Sequence, residues 1–82
     1  MYKIVFTQRA LRDLETIDRN KQPRIALKLK EYAEEPITYA RKLIHPKIGT
    51  YRFRIGDYRV IFDIDDANIV ILRIGHRSSI YK

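Results

Sequence analysis

Seventeen Lys and Arg against ten Asp and Glu, a formal charge of +7 and no cysteine make these 82 residues one small basic domain, 1–82. A chain of this length buries a core just large enough to fold alone. The composition excludes a disulfide framework and a thiolate metal site, and no stretch reaches the ~20 apolar residues that cross a bilayer.

The N-terminus runs straight into Tyr2-Lys3-Ile4-Val5-Phe6 and lacks the apolar core of a signal peptide, so a cytoplasmic protein is expected. Tyr2, Ile4 and Phe6 alternate with Lys3 and Val5, which predicts a short first strand. Thr7 suits a helix N-cap, and Ala10, Leu11, Leu14 and Ile17 recur at helical spacing as one buried stripe. After a polar break over 18–22, Pro23 suits the first turn of a second helix, where a missing N–H costs nothing. Ile25, Ala26, Leu29, Tyr32 and Ala33 supply its apolar face, and Pro36 ends it. Residues 36–49 show no period and read as a basic connection carrying Arg41, Lys42, His45 and Lys47.

Residues 51–62, YRFRIGDYRVIF, carry the plainest pattern in the chain. Two alternating runs meet at Gly56-Asp57, a two-residue turn with Gly first that matches the twist of paired strands. It pairs Ile55 with Tyr58, Phe53 with Val60 and Tyr51 with Phe62, one wholly apolar face. The other face sets Arg54 opposite Arg59 and Arg52 opposite Ile61. Like charges facing across a ladder are destabilising, so the pair either holds an anion or splays into solvent. Asp65-Asp66-Ala67-Asn68 then marks a turn, and 69–74 is apolar on both faces, as an interior strand is. Placing Val70, Leu72 and Ile74 in the core sets Arg73 on the cationic face near Ile61. The result is an α+β two-layer sandwich: an N-terminal strand, a helical hairpin, then a three-stranded antiparallel meander in a largely antiparallel sheet. The helices cover one face and leave the arginines on the other.

Two histidines in different segments, without a carboxylate cluster, make no metal-ligand set. There is neither a nucleophile elbow nor a Gly-rich phosphate loop, and no cofactor is expected. What remains is fixed positive charge and a tail containing His76, Arg77 and Tyr81. Arginine keeps its proton, so Arg52, Arg54, Arg59 and Arg77 bind and stabilise but do not act as bases. They suit a phosphate, and better a phosphorane-like transition state with extra negative charge. An imidazole or a phenol could move the protons, with the RNA's own 2′-hydroxyl as nucleophile. Tyr81 could equally stack on a base or pin the C-terminus, and His76 could be a plain turn residue. The residues themselves lead to a basic α+β domain that binds RNA or an acidic protein.

YRFRIGDYRVIFDID followed by IVILRIGHRSSIY resembles the RelE/ParE superfamily of toxin–antitoxin toxins. The first strand and helical hairpin extend the resemblance over nearly the whole chain, and the ending is more similar to the RelE branch. That resemblance implies a ribosome-dependent, metal-independent mRNA endoribonuclease that leaves a cyclic phosphate and inhibits translation. It carries mRNA-site roles onto Arg52 and Arg54, Arg59, Arg77 and Tyr81, with His76 at a position often basic in relatives. It also implies a cognate RelB-like antitoxin, acidic or amphipathic, laid over the helices and over Ile61 and Ile71 in a hetero-oligomer. Arg41, Lys42, His45, Lys47 and Arg73, with Arg24, Lys28 and Lys30, would then track RNA phosphates. Some relatives have lysines in place of Arg52 and Arg54; arginine cannot serve as the base, which leaves Tyr81 or His76. The chain also stops at Lys82, short of the extra helix of some relatives. A ParE-like gyrase inhibitor and an inert antitoxin-binding relative share the fold.

Overall fold

The computed structural model describes residues 2–44 and 49–80. β1 (Lys3–Phe6) packs Ile4 and Phe6 against the core. Thr7 caps α1 (Gln8–Glu15): its hydroxyl oxygen accepts from the Ala10 N–H at 3.1 Å and its O–H donates to the Ile71 carbonyl at 2.8 Å. One side chain therefore starts the helix and ties it to the sheet. Pro23 lies in the first turn of α2 (Gln22–Tyr32). Ala10, Ile17, Ile25, Leu29 and Ala33 are buried, whereas Leu11 and Ala26 are exposed, correcting their expected place in the stripes. Each lies one residue, about 100° of helix, beyond a stripe that only has to meet the sheet.

Pro36 does not end α2. It opens a one-turn helix, α3 (Pro36–Tyr39), and β2 (Arg41–Lys42) follows directly. The stretch read as a plain connection thus holds two elements. β3 (Tyr51–Ile55), β4 (Tyr58–Asp65) and β5 (Asn68–His76) form the expected meander. Among the described residues the sheet has five strands in the order β1-β5-β4-β3-β2, parallel between β1 and β5 and antiparallel elsewhere.

The β3–β4 register is the one the turn predicts, from Tyr51 opposite Phe62 to Ile55 opposite Tyr58. Gly56 sits at φ 58°, the left-handed conformation this two-residue turn needs at its first position. Between β4 and β5 the register shifts: Ile61 faces Arg73, but Phe62 faces Ile71. Leu72 is the extra residue of a bulge. The bulge reverses the expected parity, so Ile69, Ile71 and Ile74 are buried in place of Val70, Leu72 and Ile74.

Phe53, Ile55, Val60 and Phe62 form the core with the helices, and Phe53 and Phe62 stack at 4.2 Å. The opposite face is not bare, contrary to expectation. A Cβ on Gly49 would collide with Ile61 and Leu72, and the Thr50 N–H donates to Asp63 Oδ1 at 2.7 Å. The chain entering β3 therefore lies across Ile61, which is fully buried, as is Ile71 on the helix side. Neither can be an exposed docking position for a partner. At the other end Ile80 is buried and folds back over Gly75.

Candidate nucleic-acid interface

Residues directly opposite one another in a ladder share a face. Arg41 pairs with Arg52, Arg52 with Ile61 and Ile61 with Arg73, which makes one row across four strands. Two residues further along, Arg54 pairs with Arg59 and Arg59 with Gly75. The face opposite the helices therefore carries five arginines in register. β2 adds a second facing arginine pair that the sequence pattern did not reveal.

The five are not equivalent. Arg59 is only 6% exposed, and its Nη1 donates to the carbonyls of Gly56 at 3.0 Å and Tyr58 at 2.9 Å. Its guanidinium closes the hairpin turn from below. Arg73 donates from Nε to Asp13 Oδ2 at 2.8 Å, and that same oxygen accepts from the Ile74 N–H at 3.0 Å. β1 ends opposite Ile71, so α1 brings Asp13 to satisfy the strand edge that β1 leaves open. Arg9 approaches the other carboxylate oxygen at 3.7 Å. Arg41, Arg52 and Arg54, by contrast, form no ion pair among the described residues. These three are the charges left for a ligand. They lie beside the stretch at Gly49 and Thr50 that crosses Ile61, and beside the tail residue Ile80 over Gly75.

Arg77 follows β5 and is fastened to the hairpin turn. Its N–H donates to the Asp57 carbonyl at 2.8 Å, and its Nε lies 3.6 Å from Asp57 Oδ1. Both side chains stay mostly exposed. Asp57, which drew no functional reading from the sequence, holds the start of the tail against the turn beside Arg54 and Arg59.

His76 is a strand residue rather than part of the tail, and it pairs with Tyr58, on the helix side of the sheet. The two rings meet edge to face at 5.7 Å. Its Nδ1 accepts the Ser78 backbone N–H at 3.1 Å, with Ser78 Oγ at 2.8 Å. A backbone N–H only donates, so in the neutral ring the hydrogen sits on Nε2. His76 thus presents a donor, on the opposite face from Arg52 and Arg54. The register separates it from the arginines it was grouped with. Tyr81, His45 and Lys47 lie outside the described residues, while Lys42 is exposed at the β2 edge. Among the described residues no three His, Asp or Glu side chains converge in a way that could hold a metal ion.

Known proteins resemble this chain in sequence and in fold. Residues 4–81 match the family model described as ParE toxin of type II toxin-antitoxin system, parDE. The chain is 36% identical to toxin RelG of Mycobacterium tuberculosis over 99% of its own length and 97% of that protein. It superposes with a TM-score of 0.71 on a chain of the toxin–antitoxin complex RelBE2 from M. tuberculosis, at 36% identity, covering 93% of this chain and 98% of that one. An archaeal RelE–RelB complex from Pyrococcus horikoshii gives a TM-score of 0.75 at 25% identity, covering 95% and 97%.

Proposed function

The chain belongs to the RelE/ParE superfamily of type II toxin–antitoxin toxins, and from that premise we propose that it is a RelE-like endoribonuclease cutting mRNA on the translating ribosome. The observation that carries this reading is the set Arg41, Arg52 and Arg54, held in cross-strand register on one face and without an ion-pair partner among the described residues. Arginines facing one another repel unless an anion lies between them. An RNA phosphate supplies that anion, and the transition state supplies it more strongly.

In the proposed reaction the 2′-oxygen attacks the adjacent phosphorus, the O2′–P bond forms, and the bond from phosphorus to the 5′-oxygen breaks. The products are a 2′,3′-cyclic phosphate and a 5′-hydroxyl. The cations offset the charge that builds on the phosphoryl oxygens, so no metal is required. The 2′-hydroxyl proton goes to a base, and a solvent water gives a proton to the departing 5′-oxygen. Since His76 stands on the far face with Nδ1 engaged, we assign the base to Tyr81. Arg59 serves by holding the turn that presents Arg54.

A RelB-like antitoxin completes the proposal as the partner in a hetero-oligomer. Leu11, Leu27, Ile37 and Tyr39 are large exposed apolar side chains of the helices and the natural seat for it. The matched family model is that of ParE toxins, which gives a second reading, inhibition of DNA gyrase by binding alone. Induction of the toxin without its antitoxin separates the two. Arrested protein synthesis with cut mRNA supports the nuclease; a DNA-damage response with intact mRNA supports the inhibitor.

A further inference from the structure

Beyond the arginine face, the molecule has a cavity of about 190 Å³ on the helix side of the hairpin tip. Lys21, Arg24 and Ile25 of the α2 end line it on one side, and Ile55, Gly56, Asp57 and Tyr58 on the other. Its floor is apolar, because Ile25 and Ile55 are buried. Tyr58 forms an aromatic wall that already attracts a cation, with Lys21 Nζ 5.7 Å from its ring centre. Arg24 is exposed at the rim.

We propose that this cavity binds one nucleotide of the RNA substrate, further along the strand than the nucleotide being cut, with its base against Tyr58 and its phosphate between Lys21 and Arg24. The inference rests on the RNA reading above and adds a subsite to it. Three observations carry it. First, a cavity of roughly 150 Å³ takes a single benzene ring, so this one has room for a nucleobase. Second, an apolar floor, an aromatic wall and two cations are the parts from which sequence-tolerant single-strand sites are built. Third, Asp57 joins the two sites: it lines the cavity, while its carbonyl accepts the Arg77 N–H and its carboxylate lies 3.6 Å from Arg77 Nε. A strand leaving Arg54 and Arg77 would pass round the hairpin tip directly into the cavity. A second, more open depression at the far end of the sheet is lined by Asp63 and Asp65 and would repel a phosphate.

The test is an amide NMR titration of the full chain with adenosine 5′-monophosphate, with ribose 5-phosphate and inorganic phosphate as separate probes. The nucleotide should shift the amides of Lys21, Arg24, Gly56 and Tyr58 and bind at least about tenfold more tightly than either probe without a base. The double variant Lys21→Gln/Arg24→Gln, altered only at exposed positions, should weaken nucleotide binding about tenfold with an unchanged amide spectrum elsewhere. Equal affinity for the nucleotide and inorganic phosphate would overturn the proposal. So would shifts confined to Arg52, Arg54 and Arg77, or a double variant that binds like the wild type. Cleavage by the wild-type chain is assayed separately on translating ribosomes. Its absence would defeat the nuclease reading and leave the titration to judge the cavity alone.

Discussion

Arg41 and Arg52 stand directly opposite each other across β2 and β3, and neither has a carboxylate partner among the described residues. A facing pair of like charges works against folding by about 0.2–1 kcal/mol. Its presence makes sense as a binding device whose cost is recovered when an anion arrives. Arg41→Ala should therefore leave stability unchanged or raise it by a few tenths of a kcal/mol, while slowing mRNA cleavage. Urea unfolding beside a cleavage assay checks both halves; a loss of stability would show that the arginine has a structural partner.

Arg54 and Arg59 face each other in the same ladder but should respond in opposite ways. Arg59→Ala removes a buried guanidinium bonded to two turn carbonyls, so it should cost about 1–3 kcal/mol of stability. Arg54→Ala, at an exposed position, should stay within about 0.5 kcal/mol of wild type and lose cleavage. Thermal unfolding of the two variants side by side distinguishes them.

Asp13 is the next point of leverage. Replacing it with Ala leaves the Ile74 N–H without its acceptor and Arg73 without its anion, a loss of about 1–3 kcal/mol. Hydrogen exchange should report it locally, as faster exchange at Ile74 than at Val60 in the centre of the sheet. Uniformly faster exchange would mean that α1 does not act through this edge.

Gly75 tests the tail. A Cβ there would meet Ile80 Cδ1 at 2.8 Å, the flexible tip of a side chain, so Gly75→Ala should displace Ile80 at a stability cost of about 1–3 kcal/mol. Because Ile80 anchors the chain just before Tyr81, cleavage should fall much further than stability does. Parallel melting and cleavage measurements decide it; equal losses would make Gly75 a folding residue only.

The β3–β4 hairpin was legible from sequence down to its register, because Gly56-Asp57 admits one pairing and the apolar alternation agrees with it. The parts that escaped have physical reasons. β2 is two residues long and too short to show a period, so the pairing of Arg41 with Arg52 was invisible, although Pro36 as an N1 residue could have suggested α3. The bulge at Leu72 follows from three-dimensional packing and reversed a parity argument that was sound for a regular strand. Arg59 looked like its neighbour Arg54 because the sequence says which face a residue takes, not whether its side chain turns back into the turn. His76 was grouped with the arginines by its adjacency to Arg77, yet it follows Gly75, the partner of Arg59, and successive residues of a strand point to opposite faces. The family resemblance supplied what neither pattern nor packing could: a reaction to associate with the arginines.

In the proposed reaction the arginine face and the tail together cut mRNA on the ribosome. Primer extension on a translated mRNA after induction tests it most directly, comparing wild type, Arg52→Ala, Arg77→Ala and Tyr81→Phe. The wild type should give discrete cuts within the translated region, and each variant should lose them or show them steeply reduced. Wild-type induction that arrests growth without any cut in translated mRNA would contradict it.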